Sequence, residues 1–181
     1  MNNNWKILKS EIVFEPHIRM QVRKDIVKLP NNKIVDDFYL WVEGDVVLII
    51  PITKEGKFIL VKQYKHGAGK VVIEFPAGML DPDEKPDIVA RRELLEETGY
   101  TGEKFQQIAV LHNHPTKVVG KIHVFCVREV CQKGKQQLDE NEDIEVLERS
   151  KKEVLEMILK GEIIVTGTIS AFFLVLKKLV N

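Results

Sequence analysis

Apolar residues alternate with polar ones, or run unbroken, through most of the chain, and this pattern predicts a protein built largely of β-strands. The run at residues 46–52 is apolar almost throughout, as in a strand buried on both faces. A turn at 54–57 joins it to the next strand as a hairpin. Strands are predicted at 11–14, 19–29, 34–42, 46–52, 58–64, 71–75, 105–111, 121–130 and 144–147.

Three segments are predicted to be helices. The first covers 87–98, with Pro86 suited to its first turn and Gly99 to the left-handed position beyond its end. Ser150 and Glu153 form a capping box for the second, and Gly161 closes it. The third covers 168–180. Many strands, one central helix, more strands and two final helices predict an α+β fold with mixed strands.

Composition narrows the class of protein. With 44% hydrophobic and 30% charged residues the chain should fold, and 27 basic against 27 acidic residues argue against a long nucleic acid as partner. The start lacks the apolar stretch of a signal peptide, and the longest apolar segment, 169–176, is too short to span a membrane. Cys126 and Cys131 would face opposite sides of one strand, which disfavours a disulfide and predicts reduced cysteines in the cytoplasm.

The first helix carries the candidate chemistry. Glu93, Glu96 and Glu97 fall within an arc of about 100° on one side of it, where like charges repel. Arg92 can neutralise one carboxylate, whereas a divalent cation can neutralise all three. Hard oxygen ligands suit Mg²⁺, with Mn²⁺ as the alternative. A solvated acidic face is the competing interpretation.

A longer pattern surrounds these glutamates. Gly78 is followed after five residues by Glu84 and, after seven more, by a segment with fixed glutamates and a closing glycine, Arg92-Glu93-Leu94-x-Glu96-Glu97-x-Gly99-Tyr100. The pattern resembles the Nudix box at every specified position. Segments 60–65, 74–78 and 161–163 look like the ADP-ribose pyrophosphatase branch of that family, as does Pro115, fifteen positions beyond Tyr100.

The resemblance implies a fold and a set of roles. The fold would be the Nudix α/β/α sandwich with a mixed sheet, preceded by N-terminal antiparallel strands. Glu93, Glu96, Glu97 and the carbonyl of Ala77 would bind metal. Arg92 and Glu84 would orient the carboxylates, and Gly78 and Gly99 would serve backbone geometry.

The resemblance also implies a catalytic base in the late acidic loop. Residues 139–143 occupy the corresponding place, so Glu140 or Glu142 is the candidate, against a solvated acidic turn as the alternative. The N-terminal strands pair two subunits in this branch, which predicts a homodimer. We expect residues 1–42 to form the dimerisation sheet and 43–181 the Nudix hydrolase domain.

Two features depart from the branch. His114-Pro115-Thr116 replaces the usual Ser-Pro-Gly, and Lys65 stands where arginine is usual. Arginine and lysine grip phosphate differently, so these positions bear on which substrate is preferred. His112 and His114 are either substrate contacts or surface residues.

Together these features predict Mg²⁺-dependent hydrolysis of the diphosphate bond of ADP-ribose or a related nucleoside diphosphate sugar. The products would be a nucleoside monophosphate and a sugar phosphate. A Nudix enzyme of another branch, acting on nucleoside triphosphates, dinucleotides or capped RNA, is the first alternative. A binding module that has lost catalysis is the second, although no box glutamate is missing.

Overall fold

The computed structural model describes residues 4–17 and 20–179. The chain falls into two compact units, one comprising the chain up to Gly44 together with His112–Lys121, the other Asp45–Leu111 and the chain from Ile122 onward. The sequence predicted a boundary after residue 42 and assigned 112–121 to the second part. That segment groups with the N-terminal strands through a non-local strand pairing, which hydrophobic periodicity does not reveal.

The first unit is a sheet of four strands, namely β1 (Lys6–His17), β2 (Met20–Lys28), β3 (Ile34–Val42) and β10 (Val118–Val119). The first three pair antiparallel, and β10 lies parallel to β3 opposite Trp41 and Val42. β1 is much longer than the predicted strand at 11–14, and residue 19 of the next predicted strand lies outside the described residues. β10 lies between the strands predicted at 105–111 and 121–130, where no strand was predicted.

The second unit contains the remaining strands and three helices. The strands are β4 (Val46–Thr53), β5 (Lys57–Lys65), β6 (Lys70–Glu74), β7 (Ala77–Met79), β8 (Tyr100–Thr101), β9 (Phe105–Leu111), β11 (Ile122–Gln132) and β12 (Glu145–Ser150). The helices are α1 (Pro86–Thr98), α2 (Lys151–Leu159) and α3 (Thr166–Leu179). The order is β12-β5-β4-β11-β8, and β6, β7 and β9 pair with β5, β4 and β11. β4 and β11 run parallel while β4 and β5 run antiparallel, so the sheet is mixed as predicted.

Both faces of β4 are buried, as its unbroken apolar pattern predicted. Leu48 and Ile50 belong to a core that includes Phe172 of α3 and Val154 of α2. Val47 and Ile49 face the other way and belong to a second core with Val89, Ala90 and Leu94 of α1. Helices therefore cover the sheet on both sides, which confirms the α/β/α sandwich.

The residues predicted to begin and end the helices have the conformations expected of them. The capping box of Ser150 and Glu153 is present, and Gly99 and Gly161 adopt φ of 73° and 74°. The two short strands β7 and β8 were not predicted. Cys126 is buried and Cys131 is exposed, and neither forms a disulfide. None of the helices in the described residues is long and apolar enough to cross a membrane.

Candidate active site

The buried face of α1 determines where its carboxylates lie. Val89, Ala90 and Leu94 are fully buried against the sheet. Pro86 begins the helix and Gly99 ends it in the left-handed conformation, its N–H donating to the Leu95 carbonyl. The charged side of the helix therefore faces β7 and the loop between β7 and α1, where Ala77, Gly78 and Glu84 lie.

Glu97 is the most deeply buried of the three carboxylates. It is only 3% exposed, and its Oε2 accepts a hydrogen bond from the Ala77 N–H at 3.1 Å. Burial raises the pKa of Glu97 to about 8, because removal from water penalises the charged form. The Ala77 N–H opposes this rise in pKa, whereas the charge of Glu93 adds to it.

Glu93 fits into space that only a glycine leaves open. A Cβ added at Gly78 would lie 2.0 Å from Glu93 Cδ and 2.2 Å from Oε1. Gly78 is absent from the positive-φ glycines, so the reason for glycine is this close approach and not the backbone geometry that the sequence suggested. Burial is also the main reason that the pKa of Glu93 is raised, and Arg92 opposes that rise.

Arg92 lies between the carboxylates. Its Nη1 is 2.9 Å from Glu93 Oε1 and 3.1 Å from Glu96 Oε2, and its Nη2 is 3.7 Å from Glu84 Oε2. Glu84 Oε2 also accepts from the Asp81 N–H at 2.9 Å, which closes the loop before α1. The expected orienting pair, Arg92 and Glu84, is thus brought together with two of the predicted metal ligands.

The acidic loop presents the two base candidates differently. Glu140 and Glu142 are both exposed, but Glu142 Oε2 accepts from the Asp139 N–H at 3.1 Å. The charge of Glu142 also adds to the rise in pKa of both Glu93 and Glu97. Of the two candidates, only Glu142 contributes to the raised pKa of carboxylates on α1.

Comparison with known proteins identifies the family. Residues 43–160 match the NUDIX domain, which is more than half of the chain. The chain belongs to the Nudix family. It is 33% identical over 159 residues to an ADP-ribose pyrophosphatase of Bacillus subtilis, covering 87% of this chain and 85% of that protein.

Other relatives bear different names. A GDP-mannose pyrophosphatase of Escherichia coli K12 is 36% identical over 175 residues, with 90% of each chain covered. A methanol dehydrogenase activator of Bacillus methanolicus is 31% identical over 167 residues, covering 92% of this chain and 89% of that protein. Among solved structures, an ADP compounds hydrolase shares the fold with a TM-score of 0.82 at 21% identity, covering 97% and 94% of the two chains.

The donor set of this Nudix site suits a divalent cation, the kind of ion that the family uses. Within the described residues no group of three or more ligating side chains already converges on one point. Arg92 bonds to Glu93 and Glu96, and Glu97 faces the Ala77 N–H. Even so, three carboxylates are present, and two of them are desolvated enough to raise their pKa. Hard cations prefer such oxygen ligands, so the residues fit the ion.

Sequence reasoning singled out Lys65 but missed its partner Glu74. Glu74 is 7% exposed, and its Oε1 lies 3.4 Å from Lys65 Nζ and 3.3 Å from Gln63 Nε2. The charge of Lys65 also lowers the pKa of Glu97. The segments 60–65 and 74–78 had been singled out for their resemblance, but the β5–β6 pairing that joins them is visible only in the structure. His112 and His114 are exposed in the first unit.

Proposed function

We propose that this Nudix pyrophosphatase hydrolyses the diphosphate bond of ADP-ribose or a related nucleoside diphosphate sugar. The observation that carries the proposal is the cluster of Glu93, Glu96 and Glu97, in which Glu93 fills the space above Gly78. The relatives named ADP-ribose pyrophosphatase and GDP-mannose pyrophosphatase support the substrate class. A nucleoside monophosphate and a sugar phosphate would be released.

The roles of the residues follow from the geometry. Glu93, Glu96 and Glu97 would hold Mg²⁺, or Mn²⁺ in its place, with the Ala77 carbonyl as a further ligand. The bound ion would neutralise charge on the diphosphate and acidify a water molecule. Arg92 keeps Glu93 and Glu96 in place, since it bonds to both.

A carboxylate must accept the proton of the attacking water. We assign this role to Glu142 in preference to Glu140, because the charge of Glu142 acts on the carboxylates of α1. Lys65 brings a positive charge to the same region and is suited to contact a phosphate oxygen.

A hydrolysis screen tests the proposal. Purified protein with Mg²⁺ is offered ADP-ribose, GDP-mannose, ADP-glucose, NADH, diadenosine polyphosphates and nucleoside triphosphates, and a phosphatase releases phosphate from the products. We expect the highest kcat/KM with a nucleoside diphosphate sugar. Hydrolysis of triphosphates alone would assign the enzyme to another branch of the family. No hydrolysis of any substrate would favour a binding module.

We also propose that the chain forms a homodimer through its N-terminal sheet. Every described residue of β1 is exposed, including apolar Ile7, Ile12 and Phe14. Exposed apolar surface of this extent is typical of an interface. The molar mass from light scattering should be that of a dimer for the wild type and that of a monomer for Phe14→Glu. A monomeric wild type would contradict the proposal. We also propose a cytoplasmic location, because neither cysteine forms a disulfide.

A further inference from the structure

Two carbonyl groups in the last turn of α1, and that of Gly99 just beyond it, are bonded by a single loop, the segment that follows β11. The last four carbonyls of a helix have no partner within it, so they must bond elsewhere or to water. The Gln137 N–H donates to the Glu96 carbonyl at 2.9 Å, and the Lys133 N–H donates to the Gly99 carbonyl at the same distance. Gln136 Nε2 donates to the Glu97 carbonyl at 2.7 Å.

The Gln136 side chain makes a second bond to the far end of the acidic loop. Its Nε2 also donates to the Ile144 carbonyl at 2.9 Å. A side-chain amide nitrogen carries two hydrogens, so both of its donors are used. Ile144 is 5% exposed and directly follows Asp143, the last residue of the loop. One amide group therefore ties the two ends of the loop to each other and to the helix turn that carries Glu96 and Glu97.

The middle of the acidic loop, unlike its two ends, is exposed and has only local hydrogen bonds. Glu140, Asn141, Glu142 and Asp143 are all exposed. The bonds within the loop that involve Glu142 are local ones to Asp139. The position of Glu142 relative to α1 is therefore set largely where the loop begins and ends.

We propose that Gln136 is a positioning residue, whose side chain sets the distance between the acidic loop and the metal-binding carboxylates of α1. The inference rests on the proposed function in taking the loop as the source of the base. Gln136 does not touch the reacting atoms, and it acts through Glu142 and Glu97. Because a displacement of about 1 Å in a catalytic group costs on the order of 100-fold in rate, losing this connection should affect kcat.

The variants that test the proposal differ in donors and not in size. Gln136→Met keeps the length of the side chain and removes both donors. Gln136→Glu keeps the shape but places a carboxylate against two carbonyl oxygens at the negative end of the helix dipole. Gln137→Met is the matched control, because the exposed Gln137 side chain has no hydrogen bond to any other described residue. Its backbone N–H remains in the control.

Steady-state kinetics should separate positioning from simple stabilisation. For Gln136→Met we expect kcat to fall about 10- to 100-fold with KM close to that of the wild type, while the melting temperature falls by only a few degrees. Gln136→Glu should lose more kcat, and Gln137→Met should behave as the wild type. A Gln136→Met enzyme with wild-type kcat would overturn the proposal. So would a loss of kcat that disappears when the assay temperature is low enough to keep the variant fully folded.

Hydrogen exchange followed by mass spectrometry tests the same inference without activity. The protected amides among residues 138–144 should exchange about 30-fold faster in Gln136→Met, since two hydrogen bonds of about 1 kcal/mol each are lost and every 1.4 kcal/mol is a factor of ten. Unchanged exchange there would contradict the proposal whatever the kinetics show. If the wild type hydrolyses no nucleoside diphosphate sugar, the proposed function fails, and exchange alone still decides whether Gln136 holds the loop.

Discussion

Replacing Gly78 with alanine should separate the stability of this fold from its chemistry. The added Cβ would lie 2.0 Å from Glu93 Cδ, which real atoms cannot tolerate. Gly78 has no positive φ, so alanine itself can adopt the backbone conformation. The clash therefore falls on the carboxylate of Glu93, the free end of a flexible side chain that can rotate away.

The expected magnitudes differ for stability and for metal binding. Alanine in place of glycine at a compatible position stabilises by about 0.4–1 kcal/mol through the unfolded state. Rotation of Glu93 would break its ion pair with Arg92, whose side chain is 39% exposed, so that loss is at most about 1 kcal/mol. The two effects nearly cancel. Metal affinity should change more than stability does. Removing even a group that only orients a metal ligand lowers metal affinity about 10- to 100-fold.

Calorimetric titration with Mn²⁺ and a thermal melt of the metal-free protein measure the two effects separately. Gly78→Ala should bind the ion at least about tenfold more weakly while its melting temperature stays close to that of the wild type. Gly67→Ala is the control, because a Cβ there would meet nothing within 4 Å. Wild-type affinity in Gly78→Ala would refute the placement of Glu93 among the ligands.

The remaining predictions concern single carboxylates. Glu97→Gln should abolish most turnover at saturating Mg²⁺ while circular dichroism shows the fold intact, and near-wild-type turnover would contradict its role as ligand. Burial raises the pKa of Glu97 from 4.5 to about 8, so the folded, metal-free protein holds a proton that the unfolded chain has released. Its stability should therefore fall as pH rises between these values, by at most about 1.4 kcal/mol per pH unit, and denaturant melts of Glu97→Gln should show a flatter slope. Glu142→Gln should lower kcat far more than Glu140→Gln, and equal, mild effects would place the base elsewhere.

Much of the sandwich could be predicted because its signals are local. The apolar run of β4, the capping box at Ser150 and the left-handed glycine at Gly99 each depend on neighbouring residues in the sequence. The spacing of Glu93, Glu96 and Glu97 likewise follows from helical geometry alone. These features therefore required no knowledge of the tertiary fold.

The rest depends on contacts between distant parts of the chain. The pairing of β10 with β3 moves residues 112–121 into the N-terminal unit, and no periodic pattern reports it. Glu74 reaches Lys65 only because β5 and β6 pair in one register. Gln136 is one glutamine in a polar loop, and only the structure shows that its amide joins α1 to Ile144.

The placement of α1 depends on contacts at both ends as well as on its buried face. Val89, Ala90 and Leu94 hold its middle against the sheet. Before α1, Gly78 leaves space for the Glu93 carboxylate, and the Ala77 N–H donates to Glu97. At its C-terminal end the Gly99 turn and Gln136 fix the carbonyls of the last turn. Because both sets of contacts involve the turns that carry the carboxylates, a change at either end should move the ligands before it unfolds the helix.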